Sequence, residues 1–186
     1  KSANMPNDTI ERSIKKAAGE IDSINYETII YEGYGPCGIA IIAETLTDNR
    51  NRTVANVRNA FTKGGGNLGT SGSVAFQFDK IGLIAVERSE TGFDEDEMTN
   101  IAIEAGASDF IVSDEGYEII TSPEDFVHVK SLIERAKIPV LSSEITMQPQ
   151  IYGRLTNQDD IKKMNKLLEL LEDDDDVQNV YHNWED

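Results

Sequence analysis

The sequence predicts an α+β fold in three parts. A helical N-terminal segment occupies residues 1–22. A discontinuous α/β sandwich domain spans 23–78 and 150–186, and a ferredoxin-like βαββαβ domain over 79–149 is inserted into it. Three observations lead there. Strand and helix periodicities between Ile81 and Met147 run in the order βαββαβ, a unit complete in itself. Between residues 23 and 78 the chain supplies strand-like runs but a single helix to cover them. The chain after Pro149 supplies one helix and one strand, which cannot bury their own faces and so must complete the earlier unit.

Taken in order, Pro6 opens a helix carrying Ile10, Ile14 and Ala17 on one face, with Gly19 as its stop. Tyr26–Glu32 and Ile39–Leu46 are β-rich runs joined by the glycine-rich Gly33–Gly38, a hairpin. A helix follows from Arg50 to Lys63, capped by Asp48 or Asn49. The loop Gly64–Gly72 then leads into a third strand, Ser73–Phe78. In the inserted domain Leu83–Glu87 is a strand and Asp94–Ala105 a helix with acids in its first turn. Phe110–Ser113 and Tyr117–Thr121 form a hairpin, Ser122 caps a helix starting at Pro123, and Val140–Met147 closes the unit. Pro149–Thr156 reads as a linker, Asp159–Leu171 as an amphipathic helix and Val177–Tyr181 as a last strand.

Composition narrows the function classes. Net charge is −17, from 17 basic and 34 acidic residues, which opposes bulk attraction to nucleic acid or to an anionic membrane. The charge is unevenly spread. Residues 1–78 hold 8 basic and 8 acidic groups, 79–150 hold 5 and 16, and 151–186 hold 4 and 10. The single cysteine, Cys37, allows no intramolecular disulfide, and no apolar run approaches a membrane span. The cytoplasm is the expected location. The chain opens at Lys1 inside a helix-entry pattern, so further N-terminal residues are expected in the natural protein.

The candidate chemistry concentrates between Asp48 and Gly72, where Arg50, Arg52, Arg58 and Lys63 form a basic island. At about 100° per residue, Val54, Val57 and Phe61 share one helix face, and Arg52, Asn56, Asn59 and Lys63 line another. Cations at a helix N-terminus are mildly disfavoured by the dipole, so Arg50 and Arg52 need a reason to be there. Phosphate binding supplies one. The alternative is a solvated face whose arginines pair with the chain's own acids. Lys15 and Lys16 would extend the patch, or simply suit the end of their own helix.

Other readings fail on context. Gly64–Gly69 matches G-x-G-x-x-G, but helix precedes and strand follows, the reverse of a dinucleotide site, and Thr70 stands where a phosphate-loop lysine would be. What remains is a helix cap and a flexible loop with accessible amides. No local motif brings Cys37, His128 or His182 into a catalytic group, so no enzymatic activity and no cofactor is expected. Glu172–Asp176 lacks the glycine and alternation of a calcium loop and reads as a solvated acidic turn, not a metal site.

Several segments together resemble one family: Ala3-Asn4-Met5-Pro6, Tyr31-Glu32-Gly33-Tyr34-Gly35-Pro36, Thr47-Asp48-Asn49-Arg50-Asn51-Arg52-Thr53, Gly65-Gly66-Asn67-Leu68-Gly69 and Asp175-Asp176-Val177-Gln178-Asn179-Val180-Tyr181-His182-Asn183. They resemble the YebC family, which includes the mitochondrial translational activator of cytochrome c oxidase. The resemblance implies a three-domain protein whose lysine-rich first domain is mostly missing here, residues 1–22 being its remnant. It implies a DNA-binding transcriptional regulator. Some members look like translation factors acting at the ribosome, including on stalled proline-rich stretches. The expected partner is then DNA, or ribosomal RNA in the alternative, with ribosomal or other proteins facing the acidic domain. A protein-only interaction module is the third reading. Cys37 departs from the family, which usually has glycine there.

Overall fold

The computed structural model describes residues 25–114 and 116–185. In chain order its principal elements are β1 (Glu27–Tyr34), β2 (Ala40–Thr47), α1 (Arg50–Lys63), β3 (Asn67–Leu68), β4 (Phe78–Glu87), α2 (Glu95–Ala105), β5 (Asp109–Val112) and β6 (Gly116–Thr121). There follow α3 (Phe126–Arg135), β7 (Val140–Pro149), β8 (Gly153–Arg154), α4 (Gln158–Glu172), β9 (Val177–His182) and β10 (Trp184–Glu185). They divide into two compact units. One combines the described residues up to Gln77 with those from Ile151 on, and the other is Phe78–Gln150. The fold is α+β, a discontinuous sandwich with a ferredoxin-like unit inserted into it.

In the discontinuous unit the sheet order is β3-β1-β2-β9, antiparallel throughout. Alternation along β1 and β2 sends Tyr31, Ile41 and Ala43 to one face, where α1 contributes Val57, Ala60 and Phe61 and α4 contributes Met164, Leu167 and Leu171. Asn49 caps α1 by accepting from the Arg52 amide at 3.1 Å. The buried stripe of α1 is Thr53, Val57, Ala60 and Phe61, with Val54 only partly covered.

The inserted unit has sheet order β5-β6-β4-β7, again antiparallel, the ferredoxin-like arrangement. Ile84, Val86, Tyr117 and Ile119 pack beneath Met98 and Ala102 of α2 and Val129 and Ile133 of α3. Asp94 and Glu97 close a full capping box at α2, and Gly106 ends that helix at φ 94°.

Four elements differ from the sequence expectation. Ser73–Phe78 is not a strand: Ala75–Gln77 is a 3-10 turn, and β4 starts at Phe78 and belongs to the inserted unit. The third strand of the first sheet is instead β3, inside the glycine stretch. Residues 123–125 form a turn, so α3 starts at Phe126; the Ser122 hydroxyl accepts from the Asp125 amide in that turn. The expected linker contains β8, which pairs in parallel with β10. Short strands of two residues are set by their partner, not by any periodicity of their own. The expected helix at Pro6, with Lys15 and Lys16, lies outside the described residues.

Candidate nucleic-acid interface

The N-terminal end of α1 already holds an anion, and it is the chain's own. Asp176, 3% exposed, sits between α4 and β9. Arg52 donates to it from Nε at 3.1 Å to Oδ2, and from the guanidinium Nη2 at 2.8 Å to each oxygen. Thr53 Oγ1 donates to Oδ2 at 2.8 Å, and Thr47 Oγ1 lies 3.2 Å from the same oxygen. Arg52 also bridges Asp48 at 2.8 Å. Hydrogen bonding to Asp176, then to Asp48, holds the guanidinium more firmly protonated than usual. Where phosphate is the expected ligand of Arg52, two carboxylates occupy its Nε and Nη2 donors. Glu172–Asp176 is correspondingly not a wholly solvated turn, because Asp176 is buried by partners that satisfy it.

Asn56 and Asn59 continue from Arg52 along α1. The three line a cleft of about 470 Å3 together with Ala60, Leu170 and Asp173–Asp176. This stripe therefore faces α4, and with four aspartates against one arginine the cleft repels a polyanion. Arg50, Arg58 and Lys63 are exposed, and among the described residues none of them forms a salt bridge. The structure thus separates the predicted basic residues into two sets. Arg52 is engaged internally, while Arg50, Arg58 and Lys63 present their charge to solvent.

The glycine stretch is not a flexible loop with idle amides. Gly64 N donates to Ala60 O, Gly65 N to Thr62 O, Gly66 N to Phe61 O and Gly69 N to Glu32 O, at 2.8–3.2 Å. A Cβ at Gly66 would lie 2.4 Å from Tyr34 O, and one at Gly64 2.4 Å from Leu167 Cβ. These glycines let backbone and helix approach closely, which explains them without a ligand.

Beyond the stretch, the Glu32 carboxylate, 4% exposed, accepts from the amides of Gly72, Val74 and Ala75 at 2.6, 2.9 and 2.8 Å. Burial opposes its ionisation, but the three amides more than offset this and hold its carboxyl below the usual range. Tyr34 Oη adds a bond to Ser73 O at 2.8 Å. Sequence reasoning missed both anchors. An acid inside an otherwise apolar and aromatic strand run, beside Gly33, is the signal that could have shown the first.

Nucleophilic chemistry finds no support in the geometry around Cys37. Its thiol donates to Asp160 Oδ2 at 3.4 Å, and that contact raises the thiol pKa, the opposite of activation. Cys37 takes φ 55°, the left-handed conformation that favours glycine. Among the described residues no group of three or more His, Cys, Asp or Glu side chains is arranged to hold a metal ion, and no helix is long and apolar enough to cross a membrane.

The family model for the second and third domain of TACO1/YebC proteins matches residues 26–184. The chain belongs to the TACO1/YebC family. Two relatives, from Lachnoclostridium phytofermentans and Agathobacter rectalis, each bear the name "Probable transcriptional regulatory protein". They are 53% and 56% identical over 186 residues, which is 100% of this chain and 77% of each relative. A conserved hypothetical protein of Aquifex aeolicus shares the fold in its crystal structure, with TM-score 0.78 and 43% identity over 98% of this chain and 74% of that one. The TACO1/YebC match begins at the hairpin and takes in both compact units.

Proposed function

We propose that this protein is a non-enzymatic, nucleic-acid-associated regulator of gene expression, in line with the names its relatives carry, and that α1 contributes phosphate contacts from its solvent side. The observation that carries this reading is the triplet Arg50, Arg58 and Lys63, exposed and without a salt bridge among the described residues. In this proposal Arg52 is a positioning residue: tied to Asp176, it fixes the entry of α1 and does not touch the ligand. Asn56 and Asn59 line the acidic cleft and are set aside from the contact surface. The contacts are to the sugar–phosphate backbone, so they confer affinity and register without base sequence.

The test is the salt dependence of binding to duplex DNA and to structured RNA. Each lost phosphate contact reduces the log–log slope by about 0.9 on B-DNA. Replacing Arg50, Arg58 and Lys63 together by Gln is expected to reduce the slope by roughly 2–3. An unchanged slope overturns the reading. The same preparation, compared on promoter duplex, random duplex and purified ribosomes, decides the target. Weak, equal binding to all duplexes alongside tight ribosome co-sedimentation would assign the protein to translation.

A further inference from the structure

The α1–α4 layer is electrically polarised. The two helices run side by side with opposite ends adjacent. The α1 N-terminus meets Asp173–Asp176, and the turn after the α1 C-terminus lies against the middle of α4, where Gly64 contacts Leu167 and Gly65 contacts Lys163. At that second end α4 carries Lys162, Lys163 and Lys166, with side chains 77%, 52% and 51% exposed. Lys63, exposed, closes the last turn of α1, one turn beyond Asn59. The stem of Lys163 lies across the turn at Gly65: a Cβ there would come within 3.0 Å of its Cδ. Two segments 100 residues apart in sequence thus bring Lys63 and Lys163 to one end of the layer, with Lys162 and Lys166 beside Lys163 on α4.

We infer that Lys162, Lys163 and Lys166 of α4 form, with Lys63, a second stretch of phosphate contact, so that a nucleic-acid backbone crosses the lysine-bearing end of the layer and is kept out of the cleft lined by Asp173–Asp176. This rests on the reading of α1 as a phosphate-contacting helix and extends it to a helix from the other half of the discontinuous unit. Local acids do not prevent it. Lys162, Lys163 and Lys166 pair with Asp159, Asp160 and Glu169 at 4.0, 3.6 and 2.8 Å. Pairs spaced i,i+3 on an exposed helix surface are worth only a few tenths of a kcal/mol, so phosphate can compete for the same ammonium groups. In the aspartate-lined cleft, by contrast, Arg52 is the one basic lining residue, and its Nε and Nη2 already bond Asp176 and Asp48.

Salt titration of the full chain on a duplex DNA and on a structured RNA, followed by fluorescence anisotropy, tests this. Replacing Lys162, Lys163 and Lys166 by Gln is expected to lower the log–log slope by about 2 on DNA. Replacing them by Arg should preserve it, which a merely structural role of the lysines does not require. A wild-type slope in the Gln variant overturns the inference. The Arg50, Arg58, Lys63 variant run beside it separates the two failures. If only that variant loses slope, α1 binds phosphate and α4 does not; if neither loses slope, both readings fall. A slope change confined to the RNA arm sustains the site and assigns it to RNA.

Discussion

The two units solve the same packing problem, two helices on one face of an antiparallel sheet, with different interiors. The inserted unit buries Thr91 and Thr121 as its polar residues, and its helix entry is fixed locally by the Asp94–Glu97 capping box. The discontinuous unit buries Glu32, Thr45, Thr47, Thr53, Asp176 and Asn183. Five of these, Glu32, Thr47, Thr53, Asp176 and Asn183, take part in contacts over long sequence separations. Glu32 reaches Gly72, Val74 and Ala75, and Asp176 joins Thr47, Arg52 and Thr53. Asn183 accepts from Ala40 N at 2.8 Å and donates to Ile151 O at 3.0 Å. A unit assembled from two separated segments cannot rely on short connections to fix its register. Buried polar partners, costly to mismatch, do so instead.

The largest expected effect comes from Asp176→Ala. Removing one partner of a buried ion pair costs roughly 3–5 kcal/mol, and Arg52, whose side chain is 44% exposed and retains Asp48, places this site near the low end. Denaturant titration together with hydrogen exchange should show lost protection in β2 and β9 while β4 and β6 of the inserted unit keep theirs. Equal loss in both units would break the comparison.

Glu32→Gln is expected to cost about 2 kcal/mol at neutral pH, because an amide group then faces backbone donors. The folded carboxyl titrates below its unfolded value. Its contribution is therefore complete above the unfolded glutamate pKa of about 4.3 and disappears as pH falls through the lowered folded value. The stability gap between wild type and variant should be flat from pH 7 to about 5.5 and narrow below about 4. A gap independent of pH would show that the carboxylate charge is not what holds the 72–75 segment.

The smallest effect belongs to the inserted unit. Asp94→Ala removes a local cap and should cost about 1 kcal/mol, confined to α2 protection. A cost equal to that of Asp176→Ala would mean that local and long-range polar contacts are equivalent here.

Most of the fold was legible in the sequence because its cues are short-range. The Asn49 cap, the hydrophobic spacing of α1 and α4, and the turn at Gly116 act over a few residues. The elements that misled were those whose conformation is imposed from outside. Val74 is fully buried in a segment held by Glu32, so its apolar character looked like a strand. Gly66 looked free because nothing local shows that Tyr34 O lies against it.

The candidate site divides along the same line. By itself the sequence determined which residues are basic, that they share one helix, and that the surrounding chain is acidic; periodicity and charge need no third dimension. Only the tertiary structure decided which of those charges reach solvent. Arg52 and Asp176 are 124 residues apart, yet they meet because α4 packs antiparallel beside α1 and delivers its acidic end to the helix entry. The same packing carries Lys163 to the opposite end. Helix spacing fixes what one face contains, while the neighbour brought against that face decides whether it remains available to a ligand.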